Sequence, residues 1–147
     1  MIIIIDFQLQ ELKETKWFDV HSKKWSNGPE MNKDRIRHGC VKIPQTIQHK
    51  SQILVVGGES RDSTIESLEI GEEKWKVVGN TYPEKGLYAN AVTESHSPKY
   101  IAYSIGGLSG SGDVKSIYGI KDDFSFVKVG GLKKPLMYHQ SKKSLKA

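Results

Sequence analysis

His38 and Cys40 stand two residues apart in "RHGC", a spacing that sets both side chains on one face of an extended strand. An imidazole beside a thiol can form a base–nucleophile pair or half of a metal site. Either chemistry needs further groups. The chain holds one cysteine, and His21, His49, His96 and His139 fall at no ligand spacing. A packed strand is the better account of the pair. The stretch "GGLSGSGD" (106–113) has the glycine content of a phosphate cradle, but no Lys-Ser/Thr ending follows. It runs on into "VKSIYGI", which reads as a strand and not a helix, so a hairpin loop is expected. Glu66, Glu69, Glu72 and Glu73 straddle a strand and a turn, and a solvated acidic face is expected of them. None of these groups argues for an enzyme, a metal site or a cofactor.

The elements that carry these residues belong to a globular chain. At 147 residues, one domain is the expectation. Apolar residues make up 37% and charged residues 27%, a balance that excludes both a disordered chain and a membrane protein. The formal charge of +5 owes much to Lys133, Lys134, Lys142, Lys143 and Lys146 near the C-terminus. A solvated tail is expected there, with docking on acidic partners, nucleic acid among them, as the alternative. A single cysteine, Cys40, excludes an internal disulfide and fits a reducing, cytoplasmic setting. The opening "MIIIIDFQLQ" lacks a basic lead and meets Asp6 after five apolar residues, so it does not read as a targeting segment. No run approaches the roughly twenty apolar residues of a membrane span.

The strongest organising signal is repetition. "ILVVGGES" (53–60) stops at Gly57-Gly58, and "IAYSIGGLS" (101–109) stops at Gly106-Gly107. A shift of fifty lays Trp25 on Trp75 and Ile3–Ile5 on Ile53–Val55, although Phe7-Gln8 then stand where Gly57-Gly58 stand. A shift of forty-nine lays one diglycine on the other, Leu68 on Ile117 and Trp75 on Phe124. Within the best-preserved copy four short strands are expected: "HGCVKI" (38–43), "QILVVGG" (52–58), "STIESLEI" (63–70) and "KWKVV" (74–78). The second is continuously apolar and suits a strand buried on both faces, whereas the third alternates. No segment longer than ten residues keeps helical spacing.

Four strands in about fifty residues, with a diglycine closing the second strand and a tryptophan opening the fourth, resemble the Kelch repeat of β-propellers. "FDVHSKKW", "MNKDRIRHGC", "ILVVGG" and "ESLEIGEEKW" carry the resemblance, and "YSIGG", "SIYGI" and "FSFV" repeat it with Phe124 in place of tryptophan. It covers the chain from about Thr15 to His139. The expected fold is all-β: an incomplete Kelch-type propeller of about three blade-equivalents, each a four-stranded antiparallel sheet. Residues 1–32 would be a partial repeat, 33–81 and 82–131 full repeats, and 132–147 the start of another with the basic tail. Just under three repeats fall short of the four to eight blades of closed propellers, so exposed flanks and self-association are expected.

The resemblance implies a protein-binding role. Many Kelch propellers are the substrate-recognition part of cullin-based ubiquitin ligases, docked through a BTB domain that is not read in this chain. Others bind actin, and a few Kelch-type propellers are oxidases or sugar isomerases. Kelch positions that face a partner lie in the loop after the second strand and just before the first. Here those are Ser60, Arg61 and Asp62, then Ser109, Ser111 and Asp113, with Arg35 and Arg37 ahead of the first strand. Arginine suits such a face because its fork holds a carboxylate through two parallel hydrogen bonds. Gly57, Gly58, Gly106, Gly107, Trp25, Trp75 and Phe124 are the structural repeat positions, with the rings filling the gaps between neighbouring blades.

Overall fold

The computed structural model describes residues 2–5 as backbone, and residues 12–47, 49–58, 64–79, 82–84 and 90–135 in full. Among them every regular element is a strand. The apolar and β-branched runs take extended backbone, and Gly, Asp and Ser clusters turn the chain between them. Strands β1 (Ile2–Ile5), β2 (Thr15–Asp19) and β3 (Lys24–Asn27) pair antiparallel as a three-stranded sheet. Next come β4 (Gly39–Ile43), β5 (Gln52–Val56), β6 (Ile65–Glu69) and β7 (Lys76–Val78), four strands that pair in chain order. A second four-stranded sheet follows. It begins with β8 (Ala91–Glu94) and β9 (Ala102–Ile105), which lead into a small hairpin of β10 (Leu108–Ser109) and β11 (Gly112–Asp113). The sheet is then completed by β12 (Ser116–Ile120) and β13 (Phe126–Gly131). All ladders are antiparallel, and none of the sheets closes on itself.

The three larger sheets are layered, and the middle one has both faces covered. Alternate residues of β5 point into different cores. Ile53 and Val55 meet Leu68, Trp75 and Met31, with Trp17 of the first sheet packed against them. Leu54 and Val56 turn the other way, into a core with Ile65, Val92, Ala102, Tyr118 and Ile120. All five residues of β5 are buried, as its unbroken apolar run requires. Full burial of a side chain such as Leu54 or Val56 contributes roughly 1.5–3 kcal/mol, so this strand is the main anchor of the stack. The layers approach closely at Gly39, where a Cβ would stand 2.4 Å from Val92 Cγ2 and 2.9 Å from Asn90 Nδ2. Only a residue without a side chain fits there.

The two diglycines end β5 and β9, both buried, and each has positive φ throughout: 77° and 98° at Gly57 and Gly58, 59° and 112° at Gly106 and Gly107. Left-handed backbone over two consecutive residues strongly favours glycine. The repeated motif is thus a repeated chain reversal.

Four sequence expectations need correction. The strand β6 does not alternate between core and solvent: Ile65, Glu66, Ser67 and Leu68 are all buried, because both faces of its sheet are covered. Glu66 is therefore no part of a solvated acidic face, although Glu72 and Glu73 are exposed. The forty-nine-residue register also fails after the second diglycine. Ile65 pairs with Val56, and Ile117 pairs with Ile105, so Ile117 matches Ile65, and Leu68 matches Ile120. The hairpin β10–β11 absorbs the extra residues. By the same ladder Phe126, paired with Ile120, takes the place of Trp75, while Phe124 packs at the edge of the same core with φ 60°. Finally, Trp25 is 54% exposed and fills no gap between described layers.

Candidate functional site

One end of the layered sheets gathers the lead-in to β4, the turn after β5 and the hairpin after β9. Contact between Gly39 and the Asn90–Val92 segment sets the starts of β4 and β8 side by side, so the corresponding loops of both four-stranded sheets emerge together. Of the partner-facing positions expected from the sequence, Arg35, Arg37, Ser109, Ser111 and Asp113 belong to these loops. Ser60, Arg61 and Asp62 lie outside the described residues.

Arg35 belongs to the interior. It is 1% exposed, and its Nη2 and Nε donate to Glu66 Oε1 at 3.0 and 3.2 Å. Its Nη1 donates to the carbonyl of Gly57 at 2.6 Å and Nη2 also reaches Thr64 Oγ1 at 2.9 Å. Two donors of the guanidinium converge on one carboxylate oxygen of its own chain, and Arg35 is withdrawn from the partner-facing set. Burial pulls the guanidinium down from its ordinary range, and Glu66 opposes that pull.

Glu66 is the hub of this end. Besides Arg35, its carboxylate accepts the backbone N–H of Asn32 at 2.7 Å, the Asn32 amide at 2.8 Å and the backbone N–H of Lys33 at 3.1 Å. Asn32 Nδ2 continues to the carbonyl of Trp75 at 2.9 Å. Arg35 and Leu12 exchange backbone hydrogen bonds in both directions. One carboxylate on β6 thus fixes the crossing from the first sheet to the second. The clue was in the sequence: a Glu two residues before Leu68, on the apolar face of its strand, has to find a buried cation.

His38 is also buried, beside Gly58, and burial with the nearby Arg35 charge drives its pKa down to about 4. Cys40 is exposed by surface area, and desolvation raises its thiol above the usual range, which disfavours the thiolate a nucleophile or metal ligand needs. No group of three or more His, Cys, Asp or Glu side chains that could hold a metal ion occurs among the described residues.

Arg37 remains at the surface of the same loop, half-buried, with φ 54°. A non-glycine residue in that region is held there by its surroundings, a feature that clusters at binding loops. In the hairpin, Ser111 and Asp113 are exposed, but Ser109 is buried. Its Oγ lies 2.9 Å from Ser111 Oγ and donates to the Gly112 carbonyl at 3.2 Å, fixing the turn from within. Of the expected set, Arg37, Ser111 and Asp113 are the described positions that reach the surface.

The opposite end holds a concavity the sequence did not disclose. It measures about 470 Å³ and is lined by Ile43, Pro44, Ile47, Pro98, Tyr100 and Asp122 among others. His49 Nε2 lies 3.0 Å from the Asp122 carbonyl oxygen beside it. These residues come from three separate loops whose convergence only the layering creates. No protein-family model matches the chain, and no curated protein matches it.

Proposed function

We propose that this chain is a protein-binding module of the Kelch-propeller kind, of the substrate-recognition type that serves cullin-based ubiquitin ligases. The observation that carries this reading is the stacking of two successive four-stranded sheets whose second strands both end in a positive-φ diglycine, with their loops gathered at one end. Rigid sheets below and variable loops above make a surface suited to holding an extended peptide. Arg37 gives the described part of that surface a basic group, and Arg61 follows the first diglycine in the sequence, so an acidic peptide is the expected ligand.

The test is selection from a displayed peptide library against the folded chain. Acidic peptides should be enriched, and replacing Arg37 and Arg61 together by Ala should weaken the selected peptides by more than tenfold. Enrichment of no peptide, or an affinity unchanged by the double substitution, would overturn the reading.

A further inference from the structure

Three pairs of side chains occupy one position in three successive sheets. Phe18 pairs with Trp25 across β2 and β3, with ring centroids 4.9 Å apart. Leu68 and Trp75 share a core cluster, and Ile120 pairs with Phe126 across β12 and β13. The second and third pairs point toward the sheet that comes before them in the chain, and the first points away from the sheet that follows it, since its neighbour Trp17 packs on that sheet. Leu68 and Trp75 are covered by Trp17 and Met31, and Ile120 and Phe126 by residues of the middle sheet. Among the described residues no sheet covers Phe18 and Trp25, and Trp25 is 54% exposed.

The other outer face shows the converse. In the middle sheet Leu54, Val56 and Ile65 point toward the following sheet and are buried by it. Their counterparts in the last sheet are Tyr103, Ile105 and Ile117. Both Val56 and Ile105 stand immediately before a diglycine, and both pair with the isoleucine that matches in the next strand. Ala102, Ser104, Tyr118 and Ile120 alternate inward and are buried. Tyr103, Ile105 and Ile117 therefore point away from the stack, and all three are only half-buried.

We propose that these two outer faces are the halves of one interface, occupied by a second copy of this chain. The Phe18–Trp25 face of one copy covers the Tyr103–Ile105–Ile117 face of its partner, head to tail. The reason is on both surfaces: the residues uncovered on each are the position-for-position equivalents of residues that already pack against each other inside the chain, Leu54, Val56 and Ile65 against Ile120 and Phe126. A head-to-tail contact either closes a ring or runs on as a filament. Two copies bring six large sheets, within the four to eight of closed propellers, so a closed pair is the expected assembly. This inference rests on the layering and not on the peptide-binding role.

Sedimentation equilibrium of the 147-residue chain over a hundredfold concentration range tests it. The mass should level off at twice 16.5 kDa. Trp25→Arg on one face and Ile117→Glu on the other should each raise the dissociation constant at least tenfold. Trp25 is largely exposed, so its replacement should leave the circular dichroism spectrum unchanged. Mixing the two variants should restore a pair, because one intact face of each kind remains, an outcome that only a head-to-tail contact allows. A chain that stays at 16.5 kDa throughout, a mass that climbs without levelling, or variants that associate as tightly as the parent would each overturn the proposal. Peptide selection reads the loop end and not these faces, so either proposal can fail while the other stands.

Discussion

Arg35 and Glu66 meet through Nη2 and Oε1 at 3.0 Å with neither side chain exposed to solvent. The pair does more than neutralise two charges. It places the carboxylate where the Asn32–Lys33 backbone needs an acceptor, and it places the guanidinium where the Gly57 carbonyl needs a donor. Removing one partner strands the other in a dry interior.

Arg35→Met should therefore destabilise the fold by about 3–5 kcal/mol, the usual cost of an uncompensated buried charge. Adding Glu66→Leu removes that charge, and the double variant should be more stable than the sum of the two single losses by about 1–3 kcal/mol. Urea denaturation of the four proteins gives the coupling directly. Strict additivity would mean that the pair is not coupled in solution.

His38 makes stability depend on pH in a defined direction. Its folded pKa is about 4 against an ordinary 6.5, so between these values the unfolded chain binds the proton and the folded chain does not. Stability is then full above pH 6.5 and is lost as pH falls toward 4. The loss is about 3 kcal/mol, at 1.36 kcal/mol for each unit of separation. His38→Gln should flatten that part of the stability curve. An equal slope in both proteins would assign the acid sensitivity to other groups.

Gly39 tests the contact between layers. A methyl group there would stand 2.4 Å from Val92 Cγ2, so Gly39→Ala should cost about 1–3 kcal/mol by overpacking. Val92→Ala removes the nearest obstacle, and in that background Gly39→Ala should cost less, the remainder coming from Asn90 Nδ2 at 2.9 Å and the Asn90 carbonyl at 3.2 Å. Thermal unfolding of the two singles and the double decides it; the same penalty in both backgrounds would show that Val92 is not the side chain that limits the approach.

The all-β character and the strands of both large sheets were legible because "ILVVGG" and "IAYSIGG" combine strand length, apolar runs and an abrupt glycine stop. What single positions do was less legible, because that depends on which neighbour covers them. Trp25 and Trp75 are identical in type and repeat position, yet Trp75 is 4% exposed, donates Nε1–H to the Pro29 carbonyl at 2.9 Å and packs beneath the first sheet, while Trp25 faces outward. Glu66 read as a surface acid because its cation lies thirty-one positions earlier, in a segment with no regular structure. Arg35 read as a partner-facing residue for the same reason. Placing Leu68 on Ile117 failed because an odd number of additional residues in the intervening hairpin exchanges the two faces of a strand, and sequence spacing alone does not show where such residues were taken up.

That hairpin separates two jobs the chain performs. Ile65 follows Gly57 by eight residues and Ile117 follows Gly106 by eleven, yet both land on the same rung of their ladders. The surplus leaves the layers through β10 and β11, and Gly107 and Val114 are joined at its base by a 3.0 Å backbone hydrogen bond. Length and lettering at the tip, around Gly110 and Ser111, are thereby uncoupled from the alignment of everything beneath. A fold with such a seam can exchange its outermost words without rewriting its grammar, so the tip can vary in length and sequence while the architecture stands still.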